Sequence, residues 1–139
     1  MTIARSAWMR RLIYVSRSLI DANEAVLDEM VQGSSVRNAA VGITGMLWFD
    51  HTCFAQVLEG DHDCIDTTMK RIKADPRHTD LEVVFDREVK SRAFGTWGMI
   101  QPDDGLESMA STALLIGLSM MQRGHAARRL HDTVVACEF

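Results

Sequence analysis

Residues 43–58, ITGMLWFDHTCFAQVL, contain two apolar runs separated by a short polar turn. The first run covers residues 43–49, the second covers residues 53–58, and Asp50 and His51 stand between them. Two strand-forming runs joined by so short a polar connection are typical of a β-hairpin. We therefore predict a β-hairpin near the centre of the chain.

A strand and a helix are predicted before the hairpin. Residues 12–16, LIYVS, are rich in β-branched and aromatic types, which predicts a first strand. Asp21 and Glu24 have the spacing of a capping box, so a helix is expected over roughly residues 21–32, with Gly33 as its C-terminal stop. Residues 34–38 then form a polar connector into the hairpin.

The order continues after the hairpin with a second helix and two more strands. Ile65, Met69 and Ile72 recur on one helical face, and this helix must end before Pro76. Residues 81–85 predict a fourth strand and residues 94–100 a fifth. The resulting order, β-α-β-β-α-β-β, predicts an α+β, ferredoxin-like fold with two helices on one face of a mixed sheet.

The chain after Pro102 changes to a composition rich in Ala, Leu, Met and Arg. Two C-terminal helices, broken near Gly124, are the natural interpretation. Five strands with two helices on one side leave the other sheet face open, so these helices are expected to cover that face or the surface of a partner.

Composition narrows the functional class. The 139 residues include 15 lysines and arginines against 19 aspartates and glutamates, a formal net charge of −4, which disfavours nucleic acid or anionic lipid as the main partner. The longest apolar run, residues 113–118, is far shorter than the ~20 residues that span a bilayer, and the N-terminus lacks the pattern of a secretory signal. We expect a cytoplasmic protein without a membrane span.

Signatures of catalysis and metal binding are missing. The sequence has no nucleophile elbow, phosphate loop, dinucleotide fingerprint or H-E-x-x-H motif, so it predicts no enzyme. Its three cysteines form no C-x-x-C pair and indicate reduced thiols. Residues 61–64, DHDC, are better explained by capping of the second helix than by a metal site.

Two polar side chains in apolar strands are more informative. Gln56 lies within the run CFAQVL, and a buried amide must be hydrogen-bonded because leaving it unpaired costs ~1–3 kcal/mol. Tyr14, the only tyrosine, lies in the first strand, from which its phenol can reach that amide. The pair is either an internal structural contact or one edge of a ligand site.

Five segments together resemble the BLUF family, the sensors of blue light using FAD, and they occur in that family's order. They are residues 12–16 (LIYVS), Asn38 with residues 42–45 (GITG), residues 54–60 (FAQVLEG), residues 75–78 (DPRH) and residues 92–99 (RAFGTWGM). The resemblance implies a flavin-binding domain over residues 1–101 and a helical cap or interface extension over residues 102–139. The family's ferredoxin-like fold agrees with the order of elements derived above.

The resemblance also implies a cofactor site, with FAD between the two helices. Tyr14, Gln56 and Asn38 would surround the polar edge of the flavin, and Met30 and Ile72 would supply apolar walls. The implied cofactor-binding residues are Tyr14, Met30, Asn38, Gln56, Arg71, Ile72, Asp75, Arg77 and His78. Arg37, at a position that varies in the family, is expected to alter the flavin's electrostatics.

The activity implied by the resemblance is photochemical. Blue light excites the flavin, Tyr14 donates an electron and a proton, and their return leaves Gln56 in a changed hydrogen-bonding state, by rotation or tautomerisation. The absorption shifts slightly to the red and recovers in the dark. Trp97 and Met99 are the implied relay to the C-terminal helices.

We further expect a stand-alone photoreceptor whose output comes from a protein effector supplied in trans, and a homo-oligomer formed through the apolar C-terminal helices. Two alternatives remain open from the residues. One is a flavin-free interaction domain in which Tyr14 and Gln56 pair structurally. The other is a small acylphosphatase-like hydrolase on the same fold, although no phosphate loop with a partnered Arg and Asn is evident.

Overall fold

The computed structural model describes residues 8–21, 23–94, 99 and 101–137. Over these residues the chain alternates strands and helices and then ends in a helical pair. The elements are β1 (Met9–Ser18), α1 (Glu24–Ala39), β2 (Thr44–Phe49), β3 (Cys53–Gly60), α2 (His62–Ala74), β4 (His78–Val89), α3 (Leu106–Met121) and α4 (His125–Ala136).

The four described strands form one sheet in the order β2-β3-β1-β4, with every neighbouring pair antiparallel. This arrangement confirms the ferredoxin-like α+β fold. The expected mixed sheet is wrong for these strands, because each helical crossover skips one position and an antiparallel strand fills the gap. Most of the predicted fifth strand, residues 94–100, lies outside the described residues, and neither Phe94 nor Met99 belongs to the four strands.

The sheet separates two apolar cores because side chains alternate between its faces. On what we call the first face, Leu12, Leu58 and their neighbours pack beneath α1 and α2. On the second face, Ile13 and Trp48 pack against Leu115 of α3 and against α4. The prediction that the C-terminal helices cover the second sheet face is therefore confirmed.

The limits of α1 differ from the prediction. The helix begins after Asn23, whose side chain accepts a hydrogen bond from Val26 N at 3.0 Å, so the expected capping box at Asp21 is wrong. Gly33 does not end the helix, which continues to Ala39 and takes in the expected connector. A glycine inside a helix costs only about 1 kcal/mol, and Met30 and Val31 in the turn before it pack against the first-face core.

The remaining limits follow from local chemistry. Asp61 caps α2 as predicted, accepting hydrogen bonds from Asp63 N at 3.1 Å and Cys64 N at 3.4 Å. β4 is longer than the predicted residues 81–85 because it pairs along nearly the whole of β1. Gly124, with φ of 103°, separates α3 from α4 at the predicted break.

No described helix is both long and apolar enough to cross a membrane. Within the same residues, no three His, Cys, Asp or Glu side chains are grouped so as to hold a metal ion.

Candidate functional site

A cleft lies between α1 and α2, above the first face of the sheet. The lining residues are Tyr14, Met30, Ser34, Arg37, Asn38, Leu47, Phe54, Gln56, Thr68, Arg71, Ile72, Asp75, Arg77 and His78.

A tyrosine and a glutamine form the polar centre of the cleft floor. Tyr14 on β1 and Gln56 on β3 are directly opposite each other in the antiparallel register, and their exposures are only 3% and 6%. The Tyr14 hydroxyl donates a hydrogen bond to Gln56 Oε1. Leu47 is the partner of Gln56 on the other side, so the amide lies in the middle of three strands.

The surroundings of Tyr14 keep its phenol protonated. Burial raises the pKa of the Tyr14 hydroxyl, and the negative charge of Asp75 raises it further. Both effects penalise the phenolate. At neutral pH the group is therefore a hydrogen-bond donor with a proton to give.

The amide of Gln56 reaches a methionine as well. Gln56 Nε2 lies 3.5 Å from the Sδ atom of Met99, which is 2% exposed. A thioether is a weak acceptor and takes one N–H, which leaves the second N–H of the amide for a ligand in the cleft. Of the two predicted relay residues, Met99 thus contacts the site, whereas Trp97 lies outside the described residues.

Gly45 on β2 makes room for this methionine. A Cβ atom built on Gly45 would collide with the Val57 carbonyl oxygen and lie 3.1 Å from Met99 Cε. The strand therefore needs a residue without a side chain here, because backbone and methionine both approach closely. The position of Met99 beside Gln56 depends on this glycine.

An ion pair closes the cleft at the end of α2. Arg77 Nε lies 2.9 Å from Asp75 Oδ1, and Arg77 Nη2 lies 2.5 Å from Asp75 Oδ2. This fork lowers the pKa of the Asp75 carboxyl below its ordinary value and raises the pKa of Arg77. The carboxylate that acts on Tyr14 is consequently ionised at neutral pH.

His78 joins three elements behind the cleft. Its Nε2 lies 2.5 Å from the Ile72 carbonyl oxygen and its Nδ1 lies 2.7 Å from Ser16 Oγ. Because a carbonyl only accepts, Nε2 carries a proton, and in the neutral ring Nδ1 accepts from the serine hydroxyl. His78 therefore fixes the end of α2 against β1.

The rest of the lining suits a flat, partly polar ligand. Met30 and Ile72 lie on the two helices above the sheet, and Leu47 and Phe54 lie on the sheet below them. Arg37 and Arg71 are exposed on the lining, where they favour an anionic group. An apolar slot with one polar edge and a cationic mouth matches the chemistry of a flavin nucleotide.

The structure brings all nine predicted cofactor residues to this one cleft. Sequence reasoning missed Ser34, Leu47, Phe54 and Thr68, which also line it. Their spacing from predicted cleft residues could have revealed three of them. On the helices, Ser34 is four residues from Met30 and Thr68 is four residues from Ile72, and on β3 Phe54 is two residues from Gln56, so each lies on the same face as its neighbour. Ser34 was not predicted as a lining residue because the sequence predicts that the first helix ends at Gly33.

A ferredoxin-like sheet that carries a buried Tyr–Gln pair under a two-helix cleft has the architecture of a ligand-binding domain. Comparison with protein families places it further: the model for "BLUF: Sensors of blue-light using FAD" matches residues 9–100. The chain belongs to the BLUF family. Its BLUF domain is a light-sensing module and not itself catalytic, as the sequence predicted.

Relatives and solved structures agree with this assignment. Photoactivated adenylate cyclase subunit beta of Euglena gracilis is 34% identical over 93 residues, which are 66% of this chain and 11% of the cyclase subunit. The chain thus spans only about a tenth of that relative. The dark-state structure of BlrB, a BLUF protein, is 26% identical with a TM-score of 0.65 and covers 92% of this chain and 95% of BlrB.

A third comparison involves a larger protein. Klebsiella pneumoniae BlrP1 with FMN and cyclic diGMP is 35% identical, with a TM-score of 0.63, over 68% of this chain and 25% of BlrP1.

Proposed function

We propose that this chain is a blue-light photoreceptor that binds FAD non-covalently between α1 and α2, with Tyr14 and Gln56 as its photochemical pair. The observation that carries the proposal is the hydrogen bond from the Tyr14 hydroxyl to Gln56 Oε1 in the floor of the cleft. A purely structural pair would need no cavity beside it. Here the pair lies in the floor of a cleft that is lined by side chains of both helices and of the sheet.

Different cleft residues would contact different parts of a bound flavin. The apolar side chains of Met30, Leu47 and Ile72 would enclose the flat ring. Asn38, buried at the C-terminal end of α1, and Gln56 would face its polar edge. Arg37 and Arg71 would attract the phosphates of a flavin nucleotide, which supports FAD or FMN over riboflavin.

The bound flavin supplies absorption of blue light, and the chain supplies an electron and proton donor and a switchable amide. Tyr14 keeps its proton because burial and the charge of Asp75 raise its pKa. With a flavin bound, Tyr14 would be the donor of an electron and of that proton to the excited ring, and it would regain both as the ring returns to its ground state. The lasting change is in Gln56, whose amide, by rotation or tautomerisation, takes a new set of hydrogen-bond partners.

Met99 is the first residue to respond outside the cleft. Its Sδ contacts the nitrogen of the Gln56 amide, so a turn of that amide replaces an N–H with a carbonyl oxygen beside the sulfur. We place Met99, with Trp97 as its predicted companion, in the relay that leads to α3 and α4. The sensor domain then covers residues 1–101, and residues 102–139 form the output extension.

Output would pass to a protein effector supplied in trans, in the cytoplasm, and the chain would act as a homo-oligomer. Support for the oligomer comes from the outer face of α3, here called the α3 stripe. It consists of the exposed side chains of Leu106, Met109, Leu114, Met120 and Met121, with Leu106 at 89% and Met121 at 78% exposure. Contiguous apolar surface of this kind marks interaction sites.

The first experiment is an absorbance spectrum of the purified protein, reconstituted with FAD, before and after a blue-light pulse. We expect a flavin band that moves slightly to the red and recovers in the dark. Gln56→Leu and Tyr14→Phe should keep the flavin and lose the shift. Gln32→Leu, which removes an exposed amide of α1 outside the cleft, is the matched control and should behave as the wild type.

Each other outcome contradicts a part of the proposal. A normal shift in Gln56→Leu or Tyr14→Phe rejects these residues as the photochemical pair. A protein that stays colourless after reconstitution with FAD supports the flavin-free interaction domain, and phosphatase activity in that colourless protein supports the hydrolase.

A further inference from the structure

A carboxylate is buried on the second face of the sheet, behind the cleft. Glu59 lies on β3, three residues after Gln56, and its exposure is 0%. Its side chain accepts hydrogen bonds from Arg11 Nε at 2.8 Å, from Phe94 N at 2.8 Å and from Ala93 N at 3.1 Å. A buried carboxylate is tolerated only where such donors replace water.

The side chain of Arg92 in turn binds the backbone of Glu59. Its guanidinium donates to the Glu59 carbonyl oxygen at 2.8 Å, to Thr44 Oγ1 at 2.7 Å and to the Gly42 carbonyl oxygen at 2.7 Å. The side chain of residue 59 thus holds the backbone of residues 93 and 94, while the side chain of residue 92 holds the backbone of residue 59. We call these contacts, together with Arg11, the Glu59 clasp.

The clasp stands where the chain passes from one core to the other. Phe94 packs in the second-face core with Leu115 and Leu130 of the C-terminal helices, and the Arg11 guanidinium lies 5.6 Å from its ring centre. Five residues later, Met99 packs in the first-face core and contacts Gln56. Two residues only five positions apart in the sequence therefore lie on opposite faces of the sheet, Met99 against Gln56 and Phe94 against the C-terminal helices.

We propose that Glu59 is a positioning residue for the light response, acting through the clasp, and this inference rests on the proposed photoreceptor function. The clasp fixes residues 92–94 to β3, the strand that also carries Gln56. Met99 follows only five residues after Phe94, so anchoring residues 92–94 limits how far Met99 can withdraw from the Gln56 amide when that amide changes.

Glu59→Gln is the variant that tests this role. Three N–H groups donate to the two oxygens of the carboxylate. An amide has only one acceptor oxygen, and its NH₂ group can only donate. At least one donor from Arg11, Ala93 or Phe94 then faces another donor, and the clasp loosens. Met99 supports the light state less firmly, so we expect dark recovery of the shift to become about fivefold faster, equivalent to ~1 kcal/mol.

Hydrogen exchange gives a measurement that needs no photochemistry. In darkness the amides of Ala93 and Phe94 should exchange slowly in the wild type and faster in Glu59→Gln. Asp86→Asn is the matched control, since it removes one exposed partner of Arg10 on β1 and leaves the clasp intact. It should change neither the exchange of these two amides nor the recovery rate.

Arg92→Lys keeps the test decisive should Glu59→Gln not fold. Arg92 is exposed, and lysine keeps the charge but cannot reach the three acceptors together. It should also speed recovery. A wild type that shifts, with variants that recover at the wild-type rate, overturns the positioning role alone. A wild type that binds FAD without any shift overturns the photoreceptor function and this inference with it.

Discussion

Titration of Tyr14 tests the electrostatics of the cleft directly, because it is the only tyrosine of the chain. Its hydroxyl is buried against Gln56, and both burial and the charge of Asp75 raise its pKa. All tyrosinate absorbance of the protein must therefore come from this one site. We expect the folded protein to show almost none where an ordinary phenol has already ionised.

The size of the effect follows from linkage between ionisation and folding. A free phenol has a pKa of about 10, so about nine-tenths of unfolded Tyr14 is ionised at pH 11. Below pH ~10 both states hold the proton, and stability is unaffected by this group. Above that, only the unfolded state releases it, so the free energy of unfolding falls by up to about 1.4 kcal/mol per pH unit until the raised folded pKa is reached.

The assay is urea unfolding from pH 9 to pH 11, with tyrosinate absorbance recorded in the same samples. Tyr14→Phe is the control, because every other titrating group is kept and cancels in the comparison. The wild type should lose stability with pH more steeply than Tyr14→Phe by the amount given above. Tyrosinate that appears near pH 10 while the protein remains folded would refute the buried, donor-only phenol.

Three further predictions concern other parts of the molecule. The indole nitrogen of Trp48 donates a hydrogen bond to Thr112 Oγ1 at 3.0 Å in a buried site. Thr112→Val removes that acceptor and should lower the free energy of unfolding by about 1–3 kcal/mol in urea titrations. Thr112→Ser keeps the acceptor, so equal losses in both variants would contradict this. Leu114→Glu in the α3 stripe should reduce the mass found by sedimentation, and a wild type that is monomeric at high concentration would reject the oligomer. Because the Arg77 fork lowers the pKa of Asp75, the wild type should lose stability as pH falls below about 4, where the unfolded carboxyl takes up its proton first; melting curves of Asp75→Asn should lack that contribution.

Most of the fold is predictable because its signals are local. The hairpin, the capping of α2 by Asp61 and the break at Gly124 each depend on a few neighbouring residues. The end of α1 is not predictable in this way. Gly33 is a reasonable stop by propensity, yet the helix continues to Ala39, and Asn38 is the one buried residue of this last part.

The candidate site also contains residues that the sequence predicts and residues that it does not. Motif resemblance led to the nine predicted residues, but Leu47 and Phe54 required the strand register and Ser34 required the true length of α1. Glu59 had no signal beyond its place in the motif. An acidic residue near the end of a strand is usually solvent-exposed, and only the contacts with Arg11 and the 93–94 backbone explain its burial.

The arrangement of the two cores explains how a change in one amide can reach helices on the other side of a packed sheet. Side chains three residues apart on a strand point to opposite faces of the sheet. The Gln56 side chain therefore points into the cleft, and the Glu59 side chain points towards the second-face core. The sheet between them is close-packed and does not yield to a small change. Phe94 packs in the second-face core and Met99 in the first-face core, and the clasp holds the Phe94 backbone to β3. Signal transfer should therefore be more sensitive to substitutions at Glu59 and Arg92 than to equally destabilising substitutions in the second-face core.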